Sequence, residues 1–281
     1  MHNTTNPKGI QLPTPTTTAG GEGRQDAIVR HRFEAVLWTI SLLLFIISCL
    51  FIHAHPAPYS IDLSTTETIQ HLHLWPWLEA ILRFPSVLDN PLPSLIGGIF
   101  WSGIMFILGL VFWLRKKSPL IWFQNGVFFA ITVLGSAGMN VLVDILVNRP
   151  RPDPHKYPIH LDTPLVPFPT YPSGHTEHDV AYYGFLLYLS FTRPVREWRY
   201  RWLLIPLQLF AVYDILVIGY SRILEGDHWL TDVLGGYLEG AIYLFVFIFL
   251  YRVVTNLLVR WHEKRRNKYS VRAIESTAEP E

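Results

Sequence analysis

The chain has 281 residues, half of them hydrophobic and 14% aromatic, with only 16% charged; its mean hydropathy of +0.24 is high for a soluble domain and points to a membrane protein. A formal net charge of +1 provides no basic face able to neutralise many phosphates, which excludes nucleic acid as a partner. The single cysteine, Cys49, excludes an internal disulfide.

The first 23 or so residues are rich in Thr, Pro and Gly and lack an apolar run, so residues 1–30 read as a disordered cytoplasmic tail. The first apolar run begins only after Arg30 and Arg32 and is long enough to remain as an anchor. Six runs follow at about 34–53, 95–114, 120–147, 176–192, 202–220 and 229–258, each expected to be a helix crossing a bilayer that takes roughly 20 apolar residues. The fourth is the shortest and is polar at its start. With no internal repeat and no soluble domain, the expected fold is all-α, a polytopic six-transmembrane-helix bundle over residues 31–260. A basic and then acidic cytoplasmic tail, 261–281, closes the chain.

Lysine and arginine set the expected orientation. Arg24, Arg30 and Arg32 precede the first run, Arg115, Lys116 and Lys117 follow the second, and Arg193, Arg196, Arg199 and Arg201 lie between the fourth and fifth. These segments and the basic tail alternate consistently as cytoplasmic, leaving 54–94, 148–175 and 221–228 outside. The expected location is the plasma membrane, with both termini cytoplasmic. Between Leu63 and Arg83 the mixture of leucines with Trp75 and Trp77 suggests an amphipathic helix on the outer leaflet, a lipid entry or a lid.

Two outer segments carry polar chemistry. In Ser221–Asp232, His228 and Asp232 stand four residues apart, so on a helix the carboxylate can fix the imidazole tautomer and free the other nitrogen to attack. Arg222 is a permanently charged fork suited to phosphate or carboxylate oxygens. The bland reading makes His228 and Asp232 anchors of a helix end at the interface. The proline-rich loop after the third run ends in Pro-Ser-Gly-His just before the fourth. There Ser173 and helix-start amides form an anion site, Gly174 permits close backbone approach, and His175 adds a titratable donor. Arg149 and Arg151 supply further guanidinium groups, so three segments converge on one face in a set that fits a tetrahedral oxyanion.

These residues resemble the type 2 phosphatidic acid phosphatase superfamily, the membrane lipid phosphate phosphatases, whose motifs are K-x6-R-P, P-S-G-H and S-R-x5-H-x3-D. Pro172-Ser173-Gly174-His175 matches the second, and Ser221-Arg222 with His228 and Asp232 matches the third. Arg151-Pro152 matches the end of the first, but Asp144 stands where the family has lysine. The resemblance implies a six-helix bundle with its site at the outer leaflet and a metal-independent phosphatase acting on a lipid phosphate. It implies His228 as nucleophile, Asp232 as its orienting group, His175 as acid, and Arg151, Ser173, Gly174 and Arg222 as phosphate ligands. No cofactor and no metal are implied. The patch of His155, His160, Glu177, His178 and Asp179 matches no ligand motif and reads as a solvated loop with an acidic helix start. For Asp144 three readings stand: it pairs with Arg149 or Arg151, Arg149 or Lys156 supplies the missing cation, or the site binds without turnover. Asp214 reads as a buried pair beneath the pocket or as a hydrogen-bonding contact to a neighbouring helix. Glycines 235, 236 and 240 read as close helix packing. Oligomeric state is not legible.

Overall fold

The computed structural model describes residues 18–277, so the first 17 residues of the expected N-terminal tail and the last four of the chain lie outside the described residues. Contacts divide the chain into two units, Met1–Ser41 and Leu42–Glu281. The described residues of the first unit belong to helix α1 (Thr18–Ala54), which begins inside the segment expected to be a tail. The second unit continues through α2 (Ser60–Gln70), α3 (Pro76–Leu88), α4 (Pro91–Leu114), α5 (Leu120–Val147), α6 (Gly174–Ser190), two 3₁₀ turns, α7 (Ile205–Leu224) and α8 (Leu230–Thr277). No described residue lies in a strand.

Local chemistry sets the helix boundaries. Prolines open α3 and α4, where the missing N–H costs nothing. Helix α5 stops at Asn148, whose left-handed backbone (φ 52°) lets its N–H close on the Asp144 carbonyl. Ser173 caps α6. The outer segment expected as one amphipathic helix is instead two, α2 and α3, broken over 71–75, with Trp75 and Trp77 exposed.

Among the described residues, five helices are long and apolar enough to cross a bilayer: His31–Ala54, Pro91–Leu114, Leu120–Val147, Arg201–Leu224 and Leu230–Trp261. Their outward side chains, such as Leu134, Leu146, Leu209 and Leu216, are exposed hydrocarbon, and the chain is an integral membrane protein. Helix α6 occupies the place of the expected fourth span but has only 17 residues and opens on Gly-His-Thr-Glu-His-Asp.

Helix α6 is the hub of the second unit, packing on α5, α7 and α8, while α4 lies on α5 and α3 on α7. Its lower half meets Phe129, Met105 and Tyr251 through Tyr182, Phe185 and Leu189. Lipid offers little hydrophobic drive for such contacts, so close backbone approach and interhelical hydrogen bonds carry them. Glycines supply the approach: a Cβ at Gly236 would stand 2.5 Å from the Ser173 carbonyl oxygen, and one at Gly240 2.8 Å from that of Glu177. Polar bonds supply the rest, with Asn140 donating to Glu239 (2.8 Å) and Tyr251 to Asn125 (2.7 Å).

Because the neighbour at Gly236 is backbone, which cannot swing aside, Gly236→Ala is expected to lower stability by about 1–3 kcal/mol. Gly103→Ala, where no atom lies within 4 Å, is expected to leave it unchanged. Thermal unfolding of the detergent-solubilised protein compares the two.

Candidate active site

The C-terminal ends of α5 and α7, the N-terminal ends of α6 and α8 and the loop between α5 and α6 meet around His228, which is 2% exposed. The imidazole is held through Thr170. Its Nδ1 lies 3.0 Å from the Thr170 carbonyl oxygen and 2.9 Å from the Thr170 hydroxyl. That hydroxyl donates to Asp232 Oδ2 at 3.0 Å, so its one proton is already committed. A carbonyl only accepts, so Nδ1 must carry the hydrogen, which leaves the Nε2 lone pair unprotonated. Nε2 is buried and has no hydrogen-bond partner.

The expected direct bond from Asp232 to the ring is therefore corrected: Nδ1 and Asp232 Oδ2 are 3.9 Å apart, and Thr170 bridges them. The reason is local. Asp232 Oδ2 also accepts the Trp229 N–H at 2.8 Å, which turns the carboxylate back over the first turn of α8.

Asp232 Oδ1 takes Nη1 of Arg149 at 2.5 Å. Arg149 is fully buried and each of its N–H groups has an acceptor. Nη1 also reaches Thr231, Nη2 reaches Asp62 (2.8 Å) and the Ala57 carbonyl, and Nε reaches the Pro56 carbonyl. Burial pulls its pKa down, but Asp232 and Asp62 outweigh that and hold the guanidinium above its usual value. Arg149 is thus a clamp between α2 and α8 with no donor left for an anion, against the expectation that it supplies a missing cation.

Arg151 faces the site. It donates to the Phe168 and Asp227 carbonyls at 3.2 and 3.3 Å, and its charge acts on His228. Arg222 is held by Glu225 and by Asp227 (3.0 Å), with Nε buried and unpartnered, and its Nη1 donates to His175 Nε2 at 3.4 Å. The His175 and His228 ring centres are 6.1 Å apart. Burial, with Arg151, His175 and Arg222 around it, holds the His228 imidazole well below the usual histidine range, so it is neutral at physiological pH.

At the start of α6, Ser173 accepts from the Thr176 hydroxyl and, at 3.5 Å, from its N–H, and donates its own N–H to the Asp232 carbonyl. The amides of Gly174 and His175 are the first of the helix and have no intrahelical acceptor. The close neighbour of Gly174 is the Asn140 side chain, 2.7 Å from where a Cβ would stand.

The remaining expectations separate. Lys156 is exposed and pairs with Asp153 at 3.3 Å. Asp144 forms no direct ion pair among the described residues, and its Oδ1 is buried without a partner; Arg149 is saturated, and Arg151 acts on Asp144 through its charge without a direct contact. Asp214 is fully buried and forms no ion pair among the described residues; its carboxyl lies within hydrogen-bonding reach of Asp179 on the neighbouring helix α6. Glu177 and Asp179, expected to be solvated, are each 1% exposed, because α6 is wrapped on three sides. Thr170, Asp62, Thr231 and Asp227 escaped sequence reasoning. Asp227, adjacent to His228, carried a readable signal, whereas Asp62 lies far away in the chain and carried none.

An all-helical membrane bundle that gathers a neutral, oriented imidazole, two guanidinium groups and free helix-start amides is built to engage an oxyanion. The model of the PAP2 superfamily matches residues 125–257, which contain all these groups, and over that stretch the chain is similar to that superfamily. Its fold is similar to the crystal structure of the first transmembrane PAP2 type phosphatidylglycerolphosphate phosphatase from Bacillus subtilis, with TM-score 0.58 and 20% identity over 77% of this chain and 96% of that one. LpxE of Aquifex aeolicus gives a TM-score of 0.44 at 18% identity over 68% of this chain and 96% of that one. No curated protein matches the sequence.

Removing Arg149 leaves Asp62 and Asp232 buried without a counter-charge, so Arg149→Met is expected to cost about 3–5 kcal/mol. Thermal unfolding in detergent measures it, and an unchanged Tm would refute the clamp.

Proposed function

We propose that this protein is a membrane-integral lipid phosphate phosphatase, a metal-independent hydrolase that acts through a phosphohistidine on His228. The observation that carries the reading is the Thr170 bridge, which holds Nδ1 as the hydrogen-bearing nitrogen and leaves Nε2 as a free nucleophile beside Arg151 and Arg222. Nε2 attacks phosphorus and an N–P bond forms while the bond from phosphorus to the lipid oxygen breaks. His175 gives that oxygen its proton. Arg151, Arg222, Ser173 and the amide of Gly174 stabilise the equatorial oxygens. Asp232 stabilises the charged ring through Thr170. Water then attacks phosphorus, His175 takes its proton, the N–P bond breaks, and inorganic phosphate leaves. The substrate class is a phosphomonoester or diphosphate of a lipid, such as phosphatidic acid, phosphatidylglycerol phosphate or a polyprenyl diphosphate.

In this reading α6 is a sixth span, short because its polar first turns sit in the site instead of in hydrocarbon. Both termini are then cytoplasmic, the site opens to the outer face, and the plasma membrane is the location.

A second reading is favoured by Asp144: no cation stands where the family has lysine, and its buried Oδ1 is unpartnered. On that reading the chain binds lipid phosphates without turnover. Phosphate release by the purified protein from a lipid phosphate panel, with chelator present, separates the two. Release that disappears in His228→Ala supports the enzyme. No release by the native chain, restored by Asp144→Lys, supports the binder.

The lowered His228 pKa also sets a pH profile. A depressed value keeps the ring neutral at acidities where an ordinary histidine is charged, and activity is lost only as pH falls through that lower value. The acid limb of kcat/KM is expected below pH 6.5, the ordinary histidine value; a limb at or above it contradicts the assignment.

A further inference from the structure

A second cluster of ionisable groups lies apart from His228 and plays no role in the chemistry above. Asp89, at the turn between α3 and α4, and His178 and Asp179, in the first turns of α6, place one ligand-type atom each within 4.8 Å of one another. His178 Nε2 stands 3.6 Å from Asp89 Oδ1 and 2.8 Å from the Ser94 hydroxyl. Donors bound to one ion at about 2.0–2.2 Å lie roughly 3–4 Å from each other, and the His178–Asp89 separation falls in that range.

The independent observation is Asp214 on α7. It is fully buried, and no N–H or hydroxyl reaches either of its oxygens. Its carboxyl is set against that of Asp179, within hydrogen-bonding reach, although a carboxylate offers no hydrogen to another. Oxygens of Asp89 and Asp179 are likewise buried without a partner. Three carboxylates thus converge with one imidazole, and the charge of Arg222, which acts on Asp89 and Asp179, is already committed to Glu225 and Asp227. Burial pushes the Asp89 carboxyl well above the usual range, Arg222 opposing and Asp214 and Glu177 adding to it. Such a group calls for either a shared proton or a cation. The cluster also has access. Asp89, Ser94, His178 and Asp179 line a cavity of about 850 Å³ between α4, α6 and α7, apolar elsewhere along Trp101 and Ile104.

We propose that Asp89, His178, Asp179 and Asp214 form a binding site for one divalent transition-metal ion of the zinc or manganese class. The donor set, oxygens with one imidazole nitrogen, suits these ions better than calcium or magnesium, which take oxygen alone. The ion's two positive charges offset two of the three carboxylate charges. The ion joins α3, α6 and α7 at a place where the bare protein holds only mutual repulsion, so its effect is on stability and not on the attacking group.

Untagged full-length protein in detergent, stripped with chelator and dialysed against Zn²⁺ alone, is expected to retain one equivalent per chain by elemental analysis, and its Tm is expected to rise. Asp179→Asn and His178→Gln are expected to lose that equivalent and the Tm response, whereas metal held by exposed histidines such as His155 or His160 would persist in both. Should either variant not fold, Co²⁺ added to the native protein decides, since ligation by the cluster gives visible d–d absorption that Asp89→Asn diminishes. Absence of stoichiometric Zn²⁺ from the native protein, meaning that the carboxyls share protons, overturns the proposal, as does full retention by the variants.

Discussion

The site depends on one buried guanidinium. Arg149 lies in the loop that follows α5, and its five N–H groups join α8 through Asp232 and Thr231, α2 through Asp62, and the end of the α1–α2 connection through the Pro56 and Ala57 carbonyls. A planar fork can satisfy two carboxylates at once where a point charge cannot. The carboxylate it fixes is the one that orients Thr170, and Thr170 fixes the tautomer of His228. The reactivity of one ring nitrogen therefore traces back to an arginine that never touches it.

The same economy of charge runs through the outer half of the second unit. Ionised groups are costly away from water, so the two buried arginines are each shared between two acids. Arg149 answers Asp62 and Asp232, and Arg222 answers Glu225 and Asp227. Acids beyond their reach, namely Asp89, Asp179 and Asp214 on one side of α6 and Asp144 on α5, are left with unpartnered oxygens. On the proposed function, an oxyanion entering between Arg151 and Arg222 would compete with Asp227 for the same fork. Binding and release are then an exchange of partners, with no creation of new charge.

Helix α6 links the two regions. Its first residues provide Ser173, Gly174 and His175 to one side and His178 and Asp179 to the other, and Gly236 and Gly240 of α8 let it sit close enough for both. That position explains why it is short and polar at its outer end. Those turns are enclosed by protein and kept from lipid.

Much of this was legible in the sequence. Hydrophobic run length alone located the long helices, because hydrocarbon thickness sets a minimum that chance rarely meets. Pro172-Ser173-Gly174-His175 and Ser221-Arg222 with His228 and Asp232 located the site, because residues four apart on a helix share a face and a helix start leaves amides free. What only the tertiary structure decided is which charges meet. In Asn-Arg-Pro-Arg-Pro the motif register singled out Arg151 but gave Arg149 no role of its own, and the fold turns Arg149 inward as a saturated clamp and Arg151 toward His228. Thr170 and Asp62 gain their roles through contacts separated by 62 and 87 positions, and Asp89, Asp179 and Asp214 come together from the α3–α4 turn, α6 and α7. Period and spacing act within one element, whereas the pairing of buried charges is settled by which elements pack, and that is fixed only when the bundle closes.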